Sequence, residues 1–124
     1  TGQPKMIKHS FGYPLAHIVT SNYWHQVVDN GLHYTIADTG WGKALWGEIY
    51  GPWISGSGIY IYDYDRFHPY EVLSKALEHK ITTLCCPPTM YRFFIKENID
   101  NLDFSSLQHA TTAGEPLNDE VFYT

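Results

Sequence analysis

The hydrophobic and polar positions follow two different periods along the chain, and the change from one period to the other predicts helices and strands in turn. Apolar residues spaced three or four apart indicate helices, while short apolar or β-branched runs bounded by glycine, proline or polar residues indicate strands. Helices are predicted over residues 14–28, 41–54, 70–79 and 89–98, and a last one begins at Asn118. Strands are predicted over residues 32–37, 59–62, 81–86 and 109–113.

Apolar strands that alternate with helices predict an α/β fold, in which a mostly parallel sheet carries helices on both faces. With 124 residues, the chain holds one domain at most. Ligands of such sheets bind in the loops that follow the carboxyl ends of the strands. The loops of interest are therefore residues 38–41, 87–89 and 114–116.

The charge pattern argues against two classes of partner, nucleic acids and anionic membranes. The net charge is −5, and the 8 basic residues are scattered singly, so no positive patch suits a nucleic acid or an anionic membrane. No apolar run approaches the roughly 20 residues of a membrane span. The adjacent Cys85 and Cys86 point to opposite faces of a strand, which favours two buried thiols in a reducing compartment. Together with the absence of a signal peptide in the sequence at hand, this predicts a cytoplasmic protein.

Three loop segments carry candidate chemistry. Thr1-Gly2-Gln3-Pro4-Lys5 combines a hydroxyl, a flexible glycine and an ammonium group, which suits a phosphate, although such a string is usually only a turn and lacks the ending of a Walker loop. Gly114-Glu115-Pro116 would let the main chain approach a flat ring, and is otherwise an ordinary turn before a helix. Asp38-Thr39-Gly40-Trp41 offers an aromatic wall, or a plain core tryptophan.

Five segments, taken together, resemble the central part of AMP-forming acyl-CoA synthetases. They are residues 1–10, 37–41, 50–53, 87–92 and 113–117. The medium-chain and acetyl-type branches are most similar, and the resemblance covers essentially the whole chain. It implies that residues 1–124 form a single partial domain, the central piece of the large N-terminal AMP-binding domain. It also implies an acid–thiol ligase, which converts a carboxylic acid and Mg-ATP to an acyl-adenylate and pyrophosphate and then transfers the acyl group to coenzyme A.

The resemblance also implies roles for particular residues. The expected contacts are Thr1, Gly2 and Lys5 with the phosphates of ATP, Gly114, Glu115 and Pro116 with adenine, and Trp41, Gly42 and Lys43 with the acyl group. Because desolvating an ammonium is costly, we expect Lys43 to face solvent. In the turn that follows residue 86, Thr89 is expected to cap a helix and Arg92 to bind a carboxylate or carbonyl group.

The parts of the family pattern that carry catalysis are not found in this stretch, so we expect no catalytic residue here and no adenylation by the 124-residue chain alone. We expect the chain to self-associate through open sheet edges and aromatic faces. Two alternatives stay open: an adenylating enzyme whose acceptor is a carrier protein or another molecule, and a non-catalytic α/β binding module. The seven histidines lack metal-ligand spacing, so no metal site is predicted.

Overall fold

The sheet is parallel throughout, as the alternation of strands and helices predicts. A computed structural model describes residues 5–123. Its four strands lie in the order β2-β1-β3-β4, where β1 is Leu32–Thr35, β2 is Gly58–Tyr60, β3 is Thr83–Cys86 and β4 is His109–Thr112. Each strand is shorter than the sequence predicts, because the hydrogen-bonded part of the sheet covers only part of each predicted run.

Five α-helices accompany the strands: α1 (Tyr13–Thr20), α2 (Gly51–Ile54), α3 (Pro69–Glu78), α4 (Pro88–Phe94) and α5 (Asp119–Tyr123). Two π-helical segments join them, since Ser21–His25 extends α1 and Ala44–Tyr50 leads into α2. The prediction of helices near residues 14–28 and 41–54 is right in position but wrong in geometry. A contact between distant residues helps to explain the difference at 44–50: the Thr35 hydroxyl donates to the Gly47 carbonyl oxygen at 3.0 Å, which no local pattern reveals.

One face of the sheet is apolar and packs on α3. Tyr34, Leu84 and Cys86 of the strands are buried against the inner side of this helix, whose buried residues are Val72, Leu73, Ala76 and Leu77. Full burial of an apolar side chain contributes about 1.5–3 kcal/mol, so this face supplies the main hydrophobic core. Helix α4 adds Phe94 to the same cluster.

The opposite face of the sheet is polar although it is equally buried, which differs from the continuous apolar strands that the sequence predicts. His33 and Thr35 of β1 lie beside Thr83 of β3, and all three are at most 1% exposed. Because the Thr35 hydroxyl proton is donated to Gly47, the oxygen of Thr35 accepts from His33 Nε2 at 2.9 Å. The Thr83 hydroxyl then donates to His33 Nδ1 at 2.7 Å. Burial, reinforced by the neighbouring His25, lowers the pKa of His33 to about 3.

The two cysteines divide between these faces, as the sequence predicts. Both are free and buried. Cys86 belongs to the apolar cluster, whereas Cys85 lies on the polar side near Lys43, whose charge partly opposes the rise in pKa that burial imposes on the thiol. None of the helices within residues 5–123 has the length and apolar character needed to cross a bilayer.

Candidate functional site

A cavity of about 1070 Å³ opens at the carboxyl ends of the strands. Because all the strands run in one direction, the loops that follow them meet at a single edge of the sheet. The loops after β1, β2, β3 and β4 all contribute to the wall. Its residues are Tyr34, Thr35, Ile36, Ala37, Asp38, Thr39, Trp41, Lys43, Glu48, Ile61, Tyr62, Asp63, Tyr64, Pro87, Thr89, Met90, Ala113, Gly114 and Glu115.

A tight turn after β1 presents Trp41 to this cavity. Asp38 Oδ1 accepts a hydrogen bond from the Gly40 N–H at 2.7 Å, and the Asp38 carbonyl oxygen accepts from the Trp41 N–H at 2.9 Å. This bonding of an aspartate side chain to the backbone two residues later is the usual way in which aspartate stabilises a turn. The indole of Trp41 stays 58% exposed, so a large flat apolar surface is available at the cavity wall.

Lys43 does not face solvent, and this part of the sequence prediction is wrong. Its side chain lines the cavity, and Nζ is shielded from water beside the Cys85 thiol, where it partly offsets the rise that burial causes in the pKa of that thiol. The ammonium lies close enough to the polar sheet face to lower the pKa of His25, an effect second to burial, which together bring that pKa to about 4. The prediction placed the ammonium in water to avoid its desolvation, but the side chain, at the start of the π-helical segment, points inward next to Cys85.

Glu48 is a cavity residue that the sequence did not single out. It is 2% exposed, and its Oε2 has no hydrogen-bond partner within residues 5–123. Burial raises the pKa of this carboxyl to about 7. Five positions separate it from Lys43, which is about 1.4 turns of an α-helix, so an α-helical interpretation puts the two side chains on different sides. Glu48 lies within a π-helical segment, in which hydrogen bonds join residues five apart, so an α-helical interpretation does not predict where its side chain points.

The far wall of the cavity is fixed by a three-residue cluster around Glu115. Glu115 Oε2 accepts from the Thr89 hydroxyl at 2.6 Å and from Arg92 at 2.8 Å, and Arg92 also donates to Thr89 Oγ1 at 2.7 Å. These bonds, first the one from Thr89, lower the pKa of the Glu115 carboxyl. The prediction of Arg92 as a carboxylate partner is confirmed, whereas the prediction of Thr89 as a helix cap is wrong. Helix α4 begins at Pro88, and its capping position is Pro87, which makes no side-chain bond.

Gly114 leaves room at the same wall. Its φ of +103° is a backbone conformation that residues with a side chain rarely adopt. A Cβ built there would meet no atom within 4 Å, so the main chain of this turn is open to an approaching group.

The remaining predicted site residues lie elsewhere. Gly42 and Pro116 are exposed and are not part of the cavity wall, although each is adjacent to a residue that is. Lys5 is exposed and does not line the cavity. Thr1 and Gly2 are outside the described residues. The structure therefore brings Trp41, Lys43, Gly114 and Glu115 together around one space, and Lys5 does not line it.

Metal-binding side chains are not assembled in the part of the chain that the structure describes. Residues 5–123 contain no group of three or more His, Cys, Asp and Glu side chains that could hold an ion. The buried histidines bind hydroxyl groups instead, as His25 Nδ1 does with Thr111 Oγ1 at 3.2 Å.

Comparison with known proteins places the chain in a family. The family described as AMP-binding enzyme matches residues 1–124. The acyl-coenzyme A synthetase ACSM3, mitochondrial, of Rattus norvegicus is 36% identical over 124 residues, covering 98% of this chain and 21% of that protein. ACSM5, mitochondrial, of Homo sapiens is 35% identical over 122 residues, with the same coverage of 98% and 21%. The chain thus spans about a fifth of the length of the curated relatives that it matches.

Two solved structures share the fold. The Brucella canis acyl-CoA synthetase superposes with a TM-score of 0.73 and 24% identity over 89% of this chain and 20% of its own. The anthranilate CoA ligase AuaEII, solved in complex with anthranoyl-AMP, superposes with a TM-score of 0.78 and 22% identity over 90% of this chain and 22% of its own. The parallel sheet with helices on both faces is therefore the one that these synthetases contain. On the match over its whole length, the chain belongs to the AMP-binding enzyme family.

Proposed function

We propose that the full-length product of the gene encoding this chain is an acyl-CoA synthetase. It activates a carboxylic acid with Mg-ATP to an acyl-adenylate, releases pyrophosphate, and then transfers the acyl group to coenzyme A with release of AMP. The observation that carries the proposal is one cavity of about 1070 Å³, which has Trp41 and Lys43 on one side and Gly114 and Glu115 on the other. An acyl-adenylate has two unlike ends, and the cavity offers two unlike walls.

The wall at Gly114 is the proposed adenine contact. A flat base needs close approach to the main chain, and the empty space beside the Gly114 Cα permits it. Glu115 is held by Thr89 and Arg92, which fix the position of its side chain at this turn. Pro116 follows and restricts the direction of the chain. Preorganisation of this kind reduces the entropy lost on binding.

The wall at Trp41 is the proposed acyl contact. The exposed face of the Trp41 indole gives the acyl chain an apolar surface to cover. Gly42 follows as an exposed residue with open space beside its Cα, and Lys43 continues the wall inward. The chemistry at the α-phosphate then depends on placing the substrate carboxylate in line with the leaving pyrophosphate, which is a matter of position and charge stabilisation.

The phosphate contacts are proposed for Thr1, Gly2 and Lys5. Backbone N–H groups and a hydroxyl suit phosphate oxygens, and an ammonium such as that of Lys5 balances their charge. Lys5 is exposed and free of the cavity wall, so it can serve this role only together with further parts of the protein. Mg²⁺ enters this scheme with ATP, as part of the substrate.

The test is an assay of the full-length gene product for carboxylate-dependent ATP–pyrophosphate exchange across short- and medium-chain acids. Exchange is expected with at least one acid, followed by CoA-dependent release of AMP. A folded full-length protein that exchanges pyrophosphate with none of the acids would contradict the proposal. Exchange without CoA-dependent AMP release would instead indicate a carrier protein or another acceptor. The 124-residue chain alone is expected to give no exchange, because the groups that catalyse the reaction converge from further segments.

The compartment is also a proposal. Two reduced, buried cysteines favour a reducing compartment, and the cytoplasm is the simplest one. The ACSM3 and ACSM5 relatives are mitochondrial proteins, a second reducing setting. Fluorescent tagging of the full-length protein in its own cell distinguishes the two.

A further inference from the structure

Two side chains of helix α4 converge on one carboxylate oxygen at the edge of the cavity. Glu115 Oε2 accepts a hydrogen bond from the Thr89 hydroxyl at 2.6 Å and from Arg92 at 2.8 Å. Arg92 also donates to the Thr89 hydroxyl oxygen at 2.7 Å, which leaves the Thr89 proton directed toward Glu115. Thr89 and Glu115 line the cavity, whereas Arg92 is not part of its wall. Arg92 therefore acts on a ligand in this cavity through the other two residues.

Helix α4 is anchored in the fold, whereas the turn after β4 has little support of its own. Phe94 of the helix is buried in the apolar core, and the Tyr91 hydroxyl donates to the Thr111 carbonyl oxygen of β4 at 3.0 Å. Residues 113–117 make no backbone–backbone hydrogen bond in the part of the chain that the structure describes. The hydrogen bonds that hold this turn within residues 5–123 are thus those that Glu115 receives from α4.

We propose that Arg92 is a positioning residue that sets how tightly ATP binds, because it holds the turn of Gly114 and Glu115 against helix α4. This inference rests on the proposed function, in which adenine lies against the main chain of that turn. A turn without backbone hydrogen bonds must otherwise be ordered when the ligand binds, which costs conformational entropy. The planar guanidinium reaches the carboxylate and the hydroxyl together, so it restricts the turn more than a single contact does. The Glu115 carboxylate serves as the link to α4, and the main chain serves as the contact with adenine.

The test compares pyrophosphate exchange by the full-length gene product and by its Arg92→Ala variant. The KM for ATP is expected to rise about fivefold or more, since the variant loses the hydrogen bonds that preorganise the turn. The KM for the carboxylic acid should change little, because its proposed contact is the Trp41 wall. Arg66→Ala makes the same change at an exposed residue outside the cavity wall and should leave both KM values unchanged. An unchanged KM for ATP in Arg92→Ala would overturn the inference, and so would an equal rise in both KM values.

A double substitution shows whether Arg92 acts through Glu115. Glu115→Ala keeps the main chain of the turn but removes the carboxylate, so it is also expected to raise the KM for ATP. The combination of Arg92→Ala with Glu115→Ala should raise it no further, because both substitutions remove the same link. Effects that multiply would mean that Arg92 acts elsewhere, and would overturn the inference. If Arg92→Ala does not fold, Glu115→Ala in its exposed turn decides the question, since an unchanged KM for ATP there would equally overturn it.

The role of Arg92 and the synthetase function can fail separately. If the wild-type protein exchanges pyrophosphate with no acid, the synthetase function is wrong, and calorimetric titration with ATP then measures the effect of Arg92→Ala directly. A Kd for ATP that is about fivefold or more weaker in the variant would support the role of Arg92 without the reaction. Equal Kd values, or no binding of ATP to either protein, would overturn it.

Discussion

At the scale of single residues, Gly114 is the position where a small substitution affects the proposed adenine contact most directly. Gly114→Ala forces a side chain into a φ of +103° and places a methyl group in the open space at the cavity wall. Such a backbone conformation costs a residue other than glycine about 1–3 kcal/mol. We expect the KM for ATP of the full-length protein to rise tenfold or more, while the KM for the carboxylic acid changes little.

The control for this substitution is Gly12→Ala. A Cβ at Gly12 would meet only Ser10 Oγ, at the ordinary contact distance of 3.6 Å, so the KM for ATP should be unaffected. Equal ATP kinetics for Gly114→Ala and the wild-type protein would mean that adenine does not lie against this turn. A rise in both KM values would point to a general collapse of the cavity.

Glu115 shows how much of the site a sequence can reveal at this scale. The Gly-Glu-Pro string predicts a turn, but not that its carboxylate binds Thr89 and Arg92 of helix α4, more than twenty positions earlier. The ion pair is partly exposed, with 35% and 40% of the two side chains accessible. Exposed pairs contribute about 0–1 kcal/mol, so its value is in orienting the turn more than in stability.

At the scale of secondary structure, the apolar period predicts where each element lies but not its hydrogen-bond pattern. The stripe of Val72, Leu73, Ala76 and Leu77 predicts α3 within one residue at each end, because one face of that helix meets a wholly apolar sheet face. Residues 44–50 carry an equally clear stripe, yet they form a π-helix. Their geometry depends on tertiary contacts with β1, and for the same reason Lys43 and Glu48 could not be placed from the sequence.

The polar face of the sheet predicts an unusual response to acid. His25 and His33 have folded pKa values of about 4 and 3, below their ordinary 6.5. The unfolded chain therefore binds more protons below pH 6.5, and stability is lost as the pH falls. Glu48 acts in the opposite sense, because its folded pKa of about 7 exceeds the ordinary 4.5 and its protonation favours the folded state. Between pH 8 and pH 5 the histidines cost about 4 kcal/mol together, and Glu48 offsets about 2–3 kcal/mol of this.

Glu48→Gln removes the opposing contribution and exposes that of the histidines. From pH 8 to pH 5 we expect the free energy of unfolding to fall by about 2–3 kcal/mol more for Glu48→Gln than for the wild-type chain, because the buried histidines contribute equally to both. Urea titrations followed by tryptophan fluorescence at low protein concentration measure both. The exposed Glu97→Gln should follow the wild-type chain. Parallel pH dependence for the wild type and Glu48→Gln would mean that Glu48 is already ionised when folded.

At the scale of the whole molecule, the cavity exists because separate loops end at one edge of a parallel sheet. Trp41, Pro87 and Gly114 are distant in sequence, and the fold class alone predicts that they converge. The phosphate segment shows the limit of this argument. It precedes the first helix instead of following a described strand, so nothing in the sheet directs Lys5 toward the cavity.

The same sheet leaves surfaces that a folded domain usually covers. β2 and β4 are edge strands, and helix α1 has no fully buried residue. Beside it, α2 carries Trp53 at 64% exposure. Further exposed apolar side chains of this region are Phe11, Leu15, Val19 and Ile54. Contiguous apolar surface of this kind drives association in water.

We therefore expect the isolated 124-residue chain to associate with itself. Size-exclusion chromatography with light scattering should give a mass above the 14.3 kDa of one chain, increasing with concentration. Leu15→Glu and Val19→Glu each place a charge on the exposed side of α1 and should shift the equilibrium toward the monomer. Lys96→Glu, an exposed substitution outside this surface, is the matched control and should leave it unchanged. A monomer at every concentration would contradict the expected association through the exposed apolar surface of α1. If neither α1 substitution lowers the measured mass, the contact lies at the edges of β2 and β4 instead. There, the chains would be held together by pairing of backbone groups and not by apolar burial.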